Sequence, residues 1–154
     1  MRATALGVAI AVLTGVALVT PVAVLRVDPG GRLYALADGA HYEYSYQQSI
    51  YQVPVIEEDV RSGDTLRIVR VRSGDRRAVE YFRWDGQIRR EGEEFVQDAP
   101  SNHVTTIAIA VTRDGAQRLR GPGFDLVLRA DFGETVVTLT PTYVPRLLTL
   151  IGRR

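Results

Sequence analysis

Turn residues recur along almost the whole chain, too closely spaced for long helices. Asp28-Pro29-Gly30-Gly31, Asp38-Gly39, Ser62-Gly63-Asp64, Ser73-Gly74-Asp75, Asp85-Gly86, Asp114-Gly115, Gly121-Pro122-Gly123 and Phe132-Gly133 cut the sequence after Leu25 into short pieces. Asp-Gly pairs supply the positive φ angles that tight hairpin turns need. Between the breaks, apolar residues alternate with the period of a strand. In Val104 to Val111, Thr105, Ile107, Ile109 and Val111 share one face, opposite the smaller Val104, Thr106, Ala108 and Ala110. In Thr65 to Arg72 the apolar parity changes between Ile68 and Val69, which predicts a bulge or a strand buried on both faces. Phe124 to Ala130 and Glu134 to Thr140, separated by Asp131-Phe132-Gly133, are expected to pair as a hairpin. The fold class that follows is all-β, with about eight to ten short strands in an antiparallel sandwich or partly closed barrel. No helix longer than about three turns is expected after Leu25.

The N-terminus reads differently. From Ala3 to Leu25 there is no charged residue, and Arg2 with the free amine precedes the run. A helix of about 20 apolar residues spans a bilayer, and a short positive region before an apolar one is also the layout of a secretory signal. No clean A-x-A motif follows the run, and the small-x-small site Gly15-Val16-Ala17 lies inside the apolar stretch, so a retained anchor is favoured over a cleaved signal. Residues 1–25 are therefore expected to be a signal-anchor or signal peptide forming one hydrophobic helix, and residues 26–154 an extracytoplasmic β domain. The tail from Tyr143 to Ile151 is apolar with arginines at its end. Closing the core as a last strand is the preferred reading, and a segment resting on the membrane is the other.

Composition narrows function mainly by exclusion. With 0 cysteines there is no disulfide framework, thiolate metal site or cysteine nucleophile. A net charge of +1, from 19 basic and 18 acidic residues, lacks the surplus of a nucleic-acid footprint. All the basic residues are arginine, which reads as coding bias rather than as a recognition surface. No glycine-rich phosphate motif or nucleophile elbow is present, and no cofactor or metal is expected.

The densest polar stretch runs from His41 to Glu58. As a strand it puts Tyr42, Tyr44 and Tyr46 on one face and His41, Glu43, Ser45 and Gln47 on the other. A tyrosine row is a stacking platform in some proteins and more often ordinary strand filling. His41 and Glu43 share a face and would make two metal ligands, with His103 as a distant third. The acidic run Glu57-Glu58-Asp59 lacks the ligand spacing and turn glycine of a calcium loop and is expected to be a solvated strand end. Pro54, which cannot donate to a ladder, belongs at an edge, a bulge or a strand start. Gln48 and Ser49 would bond the backbone groups freed there, leaving Tyr51 and Glu57 to face solvent.

The pattern Tyr44-Ser45-Tyr46-Gln47-Gln48-Ser49-Ile50-Tyr51-x-x-Pro54-Val55-x-Glu57, followed by Glu80-Tyr81-Phe82, resembles a family of small uncharacterised bacterial and archaeal proteins. These carry one hydrophobic segment before a β-rich domain and are typically encoded beside tripartite (TRAP) transporters of the TAXI class. The resemblance implies association with a transporter rather than a reaction. It carries Gln48, Ser49, Tyr51, Pro54 and Glu57 over as candidate binding residues, with Gln48 standing where that family usually has histidine.

The function expected is a non-enzymatic accessory or binding module, anchored in the membrane and contacting a transporter permease or its substrate-binding protein. A structural envelope domain pairing through strand edges is the alternative. The less favoured third reading is a metal-dependent hydrolase around His41, Glu43 and Glu57.

Overall fold

The computed structural model describes residues 18–151. Eleven strands lie in this span: β1 (Pro21–Asp28), β2 (Arg32–Ala35), β3 (His41–Gln48), β4 (Val53–Ser62), β5 (Thr65–Ser73), β6 (Arg89–Glu91), β7 (Glu94–Asp98), β8 (Ile107–Ala110), β9 (Arg118–Gly121), β10 (Phe124–Val127) and β11 (Val136–Pro145). Three helical segments accompany them, α1 (Arg76–Glu80), α2 (Leu128–Phe132) and α3 (Arg146–Ile151). At five, five and six residues they stay within the expected limit, because the turn residues leave no room for more.

The strands form two antiparallel sheets, ordered β2-β1-β11-β8 and β10-β9-β3-β4-β5-β7-β6. Neither closes into a barrel. Their inner faces meet in one apolar cluster that takes Leu25 and Val27 from β1, Tyr42 from β3, Leu66 from β5, Leu119 from β9 and Leu139 from β11. A second cluster covers the far end of the larger sheet. There Ala78 and Val79 of α1 pack on Val55 and Val71, with Phe82 and Trp84 alongside. The helix starts at Asp75, whose side chain accepts from the Arg77 N–H, as an N-cap residue does.

The expected bulge is present. Glu58 pairs with Arg70 and Asp59 with Ile68, so Val69 is the extra residue. Its carbonyl accepts from the Ala99 N–H at 2.9 Å, and Leu66 and Val104 exchange backbone bonds of 2.8 and 2.9 Å. These contacts pin the β7–β8 loop along the edge of β5 that β7 leaves unpaired.

Two expectations are corrected. The hairpin between residues 124–130 and 134–140 does not form. β10 pairs with β9 in the larger sheet, while β11 pairs with β1 and β8 in the smaller one. The tight turn at Gly123, with φ of 79°, folds β10 back onto β9. Buried Leu128 at the start of α2 then carries the chain across to the other sheet. The expected N-terminal helix also does not extend to Leu25. Pro21 to Leu25 belong to β1, with Val24 and Leu25 wholly buried, because β11 supplies a partner from Pro145 to Thr138 and both sheets need apolar filling there. Residues 1–17, which carry the rest of the expected anchor, lie outside the described residues. Among the described residues no helix is long and apolar enough to cross a membrane. The tail divides: Tyr143 to Pro145 complete β11, and α3 follows with Leu147 and Leu148 exposed.

Candidate functional site

The four residues Ser49 to Gln52 connect β3 to β4, with Gln48 opposite Val53. That register aligns Tyr42 with Asp59, Tyr44 with Glu57 and Tyr46 with Val55. Directly opposed residues of an antiparallel pair point to the same side, so the tyrosines and the two acids share the inner face of the larger sheet. Tyr42 is buried in the core cluster, and the rings of Tyr44 and Tyr46 stack at 5.0 Å. Tyr46 packs against the second cluster, and Tyr44 between the two is the member of the row that walls a cavity.

A cavity of about 320 Å³ lies where the two apolar clusters fail to meet. Tyr44, Glu57 and Asp59 form its polar floor, with Ile68 beside them. Ile107, Ile109 and Leu139 wall it from the smaller sheet, and Trp84 from the second cluster. The pinned β7–β8 loop forms the mouth through Ala99, Pro100, Asn102, Val104 and Thr106. The volume is at the small end of ligand pockets, roughly 300–1,000 Å³.

The acids are out of keeping with these walls. Asp59 is 2% exposed, and its Oδ1 has no hydrogen-bond partner. The buried hydroxyl of its cross-strand neighbour Tyr42 also has none. Burial, and then the nearby charge of Glu57, raise the Asp59 carboxyl from 3.8 to about 8. Burial also raises Glu57, against a hydrogen bond from Tyr46 that lowers it. Burial, followed by the acids, raises all three tyrosines. A carboxyl without partners in apolar surroundings favours its neutral form, so at neutral pH the floor presents a protonated acid as a donor.

Further along the same face, Arg61 is wholly buried. Its guanidinium donates to the carbonyls of Val24 at 2.6 Å, Gly63 at 2.8 Å, Thr142 at 3.0 Å and Leu36 at 3.3 Å. These bonds tie the two sheets together.

The five residues expected to act together divide between two places. Gln48 is buried at the end of β3, and its side-chain oxygen accepts from the Tyr51 N–H at 3.2 Å. Ser49 is exposed, and its carbonyl accepts from the Gln52 side chain. Pro54 sits second in β4, in register opposite Gln47. That is the expected strand start, but the pairing there is unbroken and the expected departure from regular pairing is absent. Tyr51 packs against the second cluster with the Arg77 guanidinium 5.0 Å from its ring. Glu57 alone of the five lines the cavity. The expectation that Tyr51 and Glu57 face solvent together is therefore overturned, since alternation turns Glu57 inward.

His41 and Glu43 lie on the outer face, opposite to Glu57. His41 is exposed, while Glu43 accepts from Arg72 at 2.7 Å. His103 shares a hydrogen bond with the Thr65 hydroxyl at 3.1 Å and lies in a different recess from His41. No cluster of three metal-ligating side chains occurs among the described residues. The outer face carries an ion-pair network instead, in which Arg72 also reaches Glu94 and Glu58, and Arg70 reaches Glu58 and Glu91.

Asp59 is the site residue that sequence reasoning missed. Its signal was the position it shares with Glu57 and Val55 on one strand face, opposite the tyrosine row. Comparison with protein-family models, with curated proteins and with solved structures returned no match.

Proposed function

We propose that this chain is a non-enzymatic binding module on the extracytoplasmic side of a membrane, a β-sandwich that takes a small apolar ligand between its sheets. The observation that carries the reading is the cavity of about 320 Å³ with the unpartnered Asp59 carboxyl on its floor. A buried acid without a partner costs stability, and costs of this kind concentrate at functional sites.

The membrane-anchored placement draws support from the uncharged run Ala3 to Leu25, shortened to end before Pro21. It also draws on the way the chain ends converge. Pro21 pairs with Pro145, and the Arg146 N–H donates to the Thr20 carbonyl at 3.0 Å. The apolar N-terminal segment and α3 thus leave the same end, where Val19, Tyr143, Leu147 and Leu148 are exposed. Association with a TAXI-class TRAP transporter, through its permease or substrate-binding protein, rests on the motif resemblance.

Two observations favour this reading over its rivals. The edge strands β2, β6, β8 and β10 have only three or four residues each, which suits edges protected from pairing better than an envelope domain that assembles through them. His41 and Glu43 lie across the thickness of the sheet from Glu57, which weighs against a hydrolase built on those three residues.

Trp84 is the chain's one tryptophan and lines the cavity, so its fluorescence reports occupancy. Titrating the full chain in nanodiscs with cyclohexyl compounds of different head groups should shift Trp84 emission saturably for at least one of them. Ile107→Phe, which narrows the cavity, should weaken the shift. Unchanged emission with every compound would refute the reading.

A further inference from the structure

We propose that the cavity selects a monovalent organic cation, a small amine with an apolar body, whose ammonium group sits on the Asp59 and Glu57 carboxyls. This deepens the binding reading above and rests on it.

The charge balance of the walls points to that class. Glu57 and Asp59 are two residues apart on one face of β4, and both line the cavity. None of the side chains lining it is cationic. Two acids in one apolar site cannot both ionise without a compensating charge. An ammonium ion supplies it, together with the donors that Asp59 Oδ1 lacks. Tyr44 and Trp84 add aromatic rings to the same cavity, and aromatic faces attract cations. An anionic ligand would meet the acids with no counter-charge, and a neutral one would leave the second carboxyl uncompensated.

Every element around the pair fits this assignment. β3 contributes Tyr42 and Tyr44 opposite Asp59 and Glu57. Arg61, next on the inner face of β4, is turned to the carbonyls of Val24, Leu36, Gly63 and Thr142. β5, β8 and β11 offer only aliphatic side chains here, and the loop from Ala99 to Thr106 only uncharged ones. His103 belongs to the neighbouring recess with Arg61 and Arg67.

The sign of the pH dependence follows from proton balance. Asp59, protonated at neutral pH in the free protein, gives up its proton when the ammonium binds. Uptake of the cation therefore releases a proton, and affinity rises as pH increases from about 5 to about 8.

The test is calorimetric titration of the full chain in nanodiscs with cyclohexylamine, cyclohexanol and cyclohexanecarboxylate, using protein-free nanodiscs as the blank. The amine should bind at least about tenfold more tightly than the alcohol at pH 7.5, with buffer-dependent heats that report proton release, and the carboxylate should not bind. Asp59→Asn should weaken the amine by a similar factor and leave the alcohol within about twofold. Equal affinity of amine and alcohol, or an Asp59→Asn variant that keeps the amine preference, would overturn the cation assignment while leaving the cavity as a binding site. Failure of all three to bind the parent protein would overturn both readings.

Discussion

Replacing Asp59 with asparagine should make the protein more stable, and by an amount that depends on pH. The carboxyl is 2% exposed and displaced from 3.8 to about 8. Between those values the folded state holds a proton that the unfolded state has released. Stability therefore falls as pH rises through this window and levels off above it. One unit of displacement is worth about 1.4 kcal/mol. At pH 7 the unfolded acid is about three units above its titration point, so folding with this group costs about 4 kcal/mol relative to an untitrating residue. The asparagine side chain carries no such cost and keeps nearly the same shape. Thermal melts of both proteins at pH 4 and pH 7 should agree at the lower pH. At the higher pH they should diverge by roughly 10 °C in favour of the variant, at roughly 2–4 °C per kcal/mol for a chain of this size. Part of the parent's slope should persist in the variant, because burial raises Glu57 too. A variant equally destabilised at both pH values would show that Asp59 has a structural partner. The cavity account would then be wrong.

Three further outcomes follow from the contacts. Arg61→Met should cost at least about 3 kcal/mol in denaturant unfolding, since the carbonyls of Val24 and Thr142 in the smaller sheet and of Leu36 and Gly63 in flanking loops lose a charged donor, and Arg61→Lys should recover only part because it lacks the planar fork. A loss under about 1 kcal/mol for Arg61→Met would refute the tie. Gln48→Ala should cost about 1 kcal/mol by freeing the Tyr51 N–H, while Ser49→Ala, at an exposed turn position, should stay within about 0.5 kcal/mol. The reverse ranking would point to a role for the serine hydroxyl. Leu147→Gln with Leu148→Gln should leave the melting temperature within about 2 °C, because both side chains are exposed, yet raise protease access to α3 in nanodiscs. Unchanged access would argue against contact between α3 and the bilayer.

How far the sequence reveals this molecule depends on whether local chemistry or distant partners decide each feature. Turn residues and period-two alternation located most strands, and the parity change at Ile68 and Val69 located the bulge, because these are properties of single segments. Partner choice was not legible for β10 and β11. The apolar patterns of residues 124–130 and 134–140 suit a hairpin, but Gly123 and Leu128 direct the two strands into different sheets. The end of the apolar N-terminal run was hidden for a similar reason: Val22 to Leu25 suit a membrane helix and a buried strand equally, and only β11 decides between them. At the site, Glu57-Glu58-Asp59 looked like a solvated strand end. Combining a four-residue turn at Ser49 to Gln52 with the tyrosine row would have turned Glu57 and Asp59 inward. What encloses them, from Trp84 to Leu139, comes from segments far apart in the chain.

The most direct test of the site is the titration of the Asp59 side-chain carboxyl, followed by carbon NMR in the full chain with and without cyclohexylamine. An unpartnered acid on the floor of an apolar cavity should titrate at about 8 in the free protein. It should fall toward the ordinary carboxylate range once the amine saturates the site. A free-protein value near 4, or a value that the amine leaves unmoved, would contradict the assignment of the Asp59 carboxyl as the group that receives the ammonium.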